Sequence, residues 1–463
     1  MSAVVIARSS FTTSLLRYSR SWGLWLLLLV SLVGTRFWVP RDDGSTIIIA
    51  VANKIPVMTS AMLGVSLGIV VSTLLLPIGY IYLRSNTTRR QPWQIEEVAA
   101  GSRVAIALGR FGADVAMLFT VLGVLTVAGW FLAWLLVPAA ELNVAHVALA
   151  LWLIAGPAVM GLAAIRILFD ALPPLRTALG DFFYFMIWMA SLVAPSVSAK
   201  DPPSFAANMA DFGGFVRPLV FDAPNGDGGF QIGGGPVEAG RIPLDVMAGL
   251  MSPGYVDSRF AWAGIAILVA AFAGLVYRPH RPRRPSIKAG RLTRWLAPGA
   301  PPAADPAAPA APQSAFAPLN LIIAEFQLIG RGRLFPLLAI AVAAAGYLTD
   351  FRHAASPAML LLLMFGLTAH AGRSEARGLR LLGGTAALPP MARRAAFVAA
   401  GILWSLLMAL PAIVAGPVGE QALLALMTGA AAAVASSALA ALSGSAFAPR
   451  VVLLIAWYAY LSA

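Results

Sequence analysis

The chain contains no cysteine among its 463 residues, which excludes disulfides, thiolate metal centres, cysteine nucleophiles and iron–sulfur clusters. Its four histidines (His146, His280, His353 and His370) are scattered, with no spacing that ligates a metal. Lysine is nearly missing: Lys54, Lys200 and Lys288 stand among 33 basic residues, and none follows a glycine-rich phosphate loop. The sequence therefore holds no nucleotide-hydrolysing P-loop of its own. Charge as a whole is scarce. Charged residues make up 11% of the chain and apolar ones 59%, where a soluble protein carries about 25% and about 45–50%. These figures predict an all-α polytopic membrane protein without evident catalytic equipment or cofactor.

What is abundant is the long apolar run. A spanning helix needs roughly 20 such residues to cover about 30 Å of hydrocarbon. Eleven stretches qualify: 22–40, 57–83, 111–137, 145–168, 181–195, 260–278, 334–350, 355–371, 395–415, 420–441 and a shorter last run, 450–461. The run at 22–33 follows a basic stretch, but its apolar character continues to Val39 with no convincing cleavage site, so it reads as a retained anchor.

Arginine sets the orientation. With the N-terminus in the cytoplasm, 25 of the 33 basic residues fall on the inner side, and 8 of the 20 acidic ones. The inner face is then net positive and the outer face net negative. The basic total is thus a topology signal, and no nucleic-acid partner is expected.

A basic, then Pro/Ala-rich segment at 281–315 cannot pack a core and reads as a cytoplasmic linker. It separates a first half, 1–280, with six expected spans from a second half, 316–463, with five. Each half opens on a short amphipathic stretch with arginines, 4–20 and 316–333, expected to lie along the inner interface. Each continues with two spans, a polar cytoplasmic stretch (94–110 and 375–394) and further spans. The fifth spans also correspond, DFFYFMIWMASL against RVVLLIAWYAYL, with Trp188 opposite Trp457. Internal duplication is a common way to build transporters.

Other polar residues have plain structural readings. Asp114 sits one turn after Arg110, and Asp170 one turn after Arg166, as i, i+4 pairs. Asp181 follows Gly180 as a helix start signal. His146 and His370 fall near span ends, as interfacial imidazoles. The segment 196–259 is the long stretch expected outside. It carries seven acids, and the turns at Asn225-Gly226 and Asp227-Gly228, with the glycines at 233–235, argue for a lid or docking surface over an enzymatic domain.

Glu96, Glu97, Ser102, Arg103, Gly109 and Arg110 form an acid, Ser-Arg, Gly-Arg run after the second span, echoed more weakly by Glu375, Pro389, Pro390, Arg393 and Arg394. With the interfacial stretch before each half and a sixth span reading SRFAWAGIAILVAAFAGLVYRP, this order of parts resembles the permease subunit of type-2 ATP-binding-cassette exporters, in the larger bacterial form with fused halves. The resemblance covers nearly the whole chain through loose motifs. It implies a multi-pass protein of the bacterial inner membrane that is not itself an enzyme, paired with a separate ATPase subunit, in two copies, that drives export of a substrate. It also implies that the stretch after the second span is a coupling helix, so that Glu96, Glu97, Arg103 and Arg110, and in the second half Glu375, Arg393 and Arg394, meet the ATPase. Such halves usually hold six spans, and the second half here holds five. An ordinary solvated loop is the plain alternative for 94–110. A secondary transporter is the main rival function, although it would need ionisable residues near the midplane, which the spans nearly lack. A membrane enzyme with its site in 196–259 is the third.

Overall fold

A computed structural model describes residues 2–21, 23–25, 27–29, 31–32, 49–86, 101–176, 178–195, 201–223, 229–233, 237–238, 240–277, 317–371, 389–443 and 447–461. The chain divides into two compact units, residues 1–281 and 282–461. Both are helical. Among the described residues, seven helices are long and apolar enough to cross a membrane, eight if one sharply bent pair is counted as a single span. The protein is thus an all-α chain of the multi-pass membrane type, with apolar side chains such as Phe260, Leu268, Leu275 and Leu442 left facing outward.

In the first unit, α1 is Ala3–Ser19. Two short strands follow, β1 (Ile49–Val51) and β2 (Ile55–Pro56). The long helices are α2 (Ser60–Arg84), α3 (Arg103–Leu136) and α4 (Val144–Ala171). After α5 (Ala178–Val193) the chain makes two short helices, α6 (Phe205–Ala210) and α7 (Val216–Val220), then strands β3 (Phe230–Ile232) and β4 (Arg241–Ile242). It ends with α8 (Val246–Leu250) and α9 (Tyr255–Val276).

Helix α2 is the axis of this unit, since every residue from 60 to 84 is buried. A helix that is apolar all round needs cover on all sides, and its glycines let neighbours come close. A methyl group at Gly64 would stand 2.6 Å from the Val147 carbonyl of α4, and one at Gly68 equally near Ile154. Small residues at such crossings gain van der Waals packing, the main attraction between helices in lipid.

Helices α2 and α4 run parallel. Their first turns meet where Ser60 Oγ donates to the Glu141 carbonyl and accepts from the Asn143 amide. Their last turns meet through Arg84 and Asp170. At the starting end the strands form a cap, β1 antiparallel to β3 and β2 parallel to β4. Ala52 and Asn53 both take positive φ, at 49° and 59°, to turn the chain between β1 and β2.

Helix α1, expected along the inner interface, has a specific partner in α3. It packs parallel to the start of α3, Ser10 Oγ donating to the Ile106 carbonyl, and Gly109 lets the Ala7 backbone approach. Its buried face is Ser10, Ser14 and Tyr18, while Val4, Val5 and Leu16 are exposed. At about 51 Å, the 34-residue α3 outreaches the hydrocarbon layer and offers α1 its first turns. The expected first span, 22–40, is described only in part, and there it is helical.

The second unit comprises α10 (Ala317–Ile329), α11 (Leu334–Leu348), α12 (Phe351–His370), α13 (Pro390–Ala415), α14 (Val418–Ser443) and α15 (Phe447–Leu461). Helices α10 and α11 meet at 89°. The bend lies at 330–333, where Gly332 takes φ +94°, a value that favours glycine. Trp404 of α13 braces it, stacking on Phe326 at 4.4 Å, meeting Phe335 edge-on at 5.0 Å and donating its indole N–H to the Phe326 carbonyl.

Of the expected spans, 181–195 and 450–461 appear as helices of 16 and 15 residues, and 334–350 as the 15-residue arm of the bent pair. The expected linker, 281–315, lies outside the described residues, as do 87–100 and 372–388.

Candidate functional site: a buried charge network

Among the described residues, the most concentrated polar chemistry lies at the end of the first unit opposite the strands. Arg166, in the last third of α4, places Nη1 2.8 Å from Asp114 Oδ2 of α3 and Nε 3.3 Å from Asp170 Oδ2. Arg84, closing α2, reaches the other Asp170 oxygen at 3.4 Å and Asp181 of α5 at 2.6 Å. Its Nη2 also donates to the Leu175 carbonyl at 2.7 Å. The Tyr18 hydroxyl of α1 donates to Asp114 Oδ1, and the Tyr80 hydroxyl to Asp181 at 3.4 Å. Five helices are thereby joined by one continuous chain of three carboxylates, two guanidiniums and two phenols.

Burial makes this network matter. Asp114 is 0% exposed, Arg166 2% and Arg84 3%. Charges taken out of water cost several kcal/mol each unless they are paired and hydrogen-bonded. Local sequence supports the geometry: Gly180 lies so close to the Leu175 carbonyl that no side chain fits there, which brings Asp181 to Arg84. Burial first, then the Asp114 carboxylate, pushes the Tyr18 hydroxyl well above its ordinary value, so it keeps its proton and donates.

The i, i+4 pair of Arg166 and Asp170 forms as expected. Asp114 differs. The expectation was a pair with Arg110, but Arg166 and Tyr18 hold its two oxygens. The reason is tertiary, since α1 and α4 both pack on that stretch of α3. Tyr18, Tyr80 and Arg84 escaped sequence reasoning. The usable signal was a lone arginine closing an otherwise uncharged apolar run, opposite aspartates at the ends of two others.

Of the expected coupling residues, Arg103 opens α3 after the N-cap Ser102 and donates to the Tyr277 carbonyl at 3.3 Å. Arg110 lies two turns further along α3. Arg393 and Arg394 stand in the first turns of α13. Glu96, Glu97 and Glu375 fall outside the described residues. Arg103 and Arg110 thus share one helix with Asp114 of the network.

The long segment 196–259 holds a second buried polar cluster. Between α6 and α7 the chain turns through Asp211, whose carboxylate accepts from the Gly214 and Val216 amides at 2.8 and 2.9 Å. Arg259 of α9 donates to the carbonyls of Asn208, Asp211 and Phe212. The Tyr255 hydroxyl donates to Gly214, which has φ +75°. This turn does not stay at the capped end. Phe212 packs on Gly161, 17 residues into α4, and Gly213 lies beside Ser72, the thirteenth residue of α2. The segment re-enters the bundle to mid-length, where non-helical backbone persists only if its polar groups are satisfied internally. Asp211 and Arg259 satisfy them. Among the described residues, no group of three or more histidines or carboxylates is placed to hold a metal ion.

No family model, curated protein or solved structure matches the chain.

Proposed function

We propose that the chain is the permease of an ATP-driven exporter in a bacterial inner membrane, moved by a separate ATPase subunit present in two copies. In this reading the N-terminus is cytoplasmic, the chain carries two related halves of six and five spans, and α10 lies along the inner interface at right angles to α11. Residues 94–110 and 375–394 meet the ATPase.

The charge network carries the proposal. The stretch 87–100 leaves α2 just past Arg84 and enters α3 at Arg103, so both its ends are tied to the network. Arg84 is joined to α4 and α5, while α3 is joined to α4 through Asp114 and to α1 through Tyr18. A push on a segment mounted in this way displaces five helices together, which is what an external motor requires. Internal packing supports the two-half reading: in each unit an aromatic side chain of the fifth expected span donates to a carbonyl of the second, Trp188 to Ser72 and Trp457 to Pro357.

The test is charge reversal of Glu96 and Glu97 to lysine. Extra positive charge on the inner side reinforces insertion, so the expected product is a folded permease that no longer co-purifies with, or stimulates, an ATPase. An undiminished complex, or no ATPase on the wild-type chain, overturns the proposal. One observation favours the secondary transporter instead. Asp114 and Arg166 are fully buried ionisable residues of the kind that serve ion pathways. Under that reading, uptake or efflux in vesicles follows an imposed ion gradient without ATP.

A further inference from the structure

Helix α2 contains a single π-turn, Val71–Leu75, and helix α12 begins with another, Phe351–Ala355. Both close in the same way. The amide of the next residue reaches back five positions, Leu76 to the Val71 carbonyl and Ser356 to the Phe351 carbonyl. The residue after that is proline in both, Pro77 and Pro357. Proline has no N–H and its ring clashes with the carbonyl four residues earlier, so an uninterrupted α-helix is disfavoured there.

The missing N–H leaves one carbonyl in each turn without its backbone donor, Ser72 in the first and Arg352 in the second. Each is taken by an aromatic donor from the fifth expected span of its unit. The Trp188 indole donates to Ser72 at 2.9 Å, and the Tyr460 hydroxyl donates to Arg352 at 2.9 Å. A second aromatic donor bonds a carbonyl close by in each unit, Tyr184 to Leu76 and Trp457 to Pro357. The sequences, VSTLLLP and FRHAASP, share only the final proline. The same covalent defect is thus repaired by the same device twice.

A π-turn holds one residue more than an α-turn, so it rotates everything beyond it by about 100°. In α2 the residues beyond are Tyr80 and Arg84, which the turn aims at Asp181 and Asp170. In α12 they include Thr368, whose hydroxyl accepts from Arg450 of α15. We propose that the proline π-turn of α2 is a phase switch, latched by Trp188. With the latch closed, Arg84 faces α5 and the charge network is complete. When α5 withdraws Trp188, the open Ser72 carbonyl destabilises the turn, α2 re-phases, and Arg84 leaves its carboxylates. The helix end that feeds 87–100 then has two discrete orientations. Its use in coupling rests on the permease reading; the switch itself does not.

A double-mutant cycle on Arg84→Gln and Asp181→Asn, read as thermal shifts of the full chain in detergent, isolates the switch from any ATPase. In the wild-type background the double variant should lose clearly less than the two single losses added. In a Trp188→Phe background, which keeps the ring and removes the N–H, that non-additivity should fall by at least about half, and in Pro77→Ala it should vanish. If Pro77→Ala does not fold, Trp188→Phe decides alone. Undiminished non-additivity in Trp188→Phe overturns the proposal and leaves the permease reading untouched.

Discussion

The two units solve one problem with different chemistry. Each holds a proline-broken helix against a later helix through aromatic donors. In the first unit that contact continues into five linked charges at the helix end, three of them (Arg84, Asp114 and Arg166) buried. In the second it continues into the bond from Arg450 to the Thr368 hydroxyl. The contrast extends to cover, for α2 is enclosed along its whole length, whereas the second unit is braced from one side by the Trp404 bracket on α10 and α11. A buried network has the stricter geometry, because removing one partner strands the other. Precision of alignment therefore resides in the first unit, and the second tolerates more change.

The comparison is broken most directly at its charged end. Asp114→Ala leaves Arg166 buried without its main partner and should cost about 3–5 kcal/mol, seen as loss of monodisperse protein or a large drop in Tm. Arg450→Leu in the second unit removes the hydrogen bond to the Thr368 hydroxyl and should cost less, about 1–3 kcal/mol. Equal losses in Asp114→Ala and Arg450→Leu would show that the two polar contacts are not as different as their chemistry implies. Trp404→Ala tests packing instead of charge and should cost about 3–5 kcal/mol by vacating the bracket; spin labels on α10 and α11 should report a broadened angle.

Smaller effects sharpen the same contrast. Tyr18→Phe removes one donor to Asp114 and should cost about 1.5–3 kcal/mol, as for a hydrogen bond to a charged group, with α1 becoming more exposed to amide exchange. The smallest effect lies in the second unit. Asp350 accepts from the Arg352 amide and contacts His353 Nδ1 at 2.8 Å, which holds its carboxyl below the usual carboxylate range. A lowered value contributes stability above the ordinary carboxylate pKa of about 3.9 and loses it as pH falls through the folded value. The Tm gap between wild type and Asp350→Asn should therefore be open at pH 7 and close on acidification below that range. A gap that persists at acid pH would separate the cap from the charge.

Much of the architecture is legible in the sequence because lipid imposes length and polarity on each span. The runs at 57–83, 111–137, 145–168, 395–415 and 420–441 all coincide with long helices. Composition misjudged depth and partnership. The segment 196–259 reads as extramembrane from its glycines and acids, yet Phe212 and Gly213 sit at mid-bundle because Asp211 and Arg259 satisfy polar backbone groups of the turn that carries them. Asp114 reads as a local i, i+4 partner of Arg110, and only the arrival of α1 and α4 gives it to Tyr18 and Arg166. The position of Pro77 within an apolar run was visible. Its consequence for Arg84 was not, because a phase shift carries no signature in hydropathy.

The strand cap places a demand on the order of synthesis. Ile49 of β1 pairs with Ile232 of β3, and Ile55 of β2 with Arg241 of β4. These partners emerge about 180 residues apart, roughly 10–40 s of translation at ~5–20 residues per second. Through that interval the strands at 49–56 wait for β3 and β4, and α2 behind them lacks several of the neighbours that enclose it. Assembly of the first unit is therefore gated by its latest-made pieces. A ribosome stalled before residue 230 should leave a chain whose early helices are inserted but still open to protease and to chaperones of the membrane.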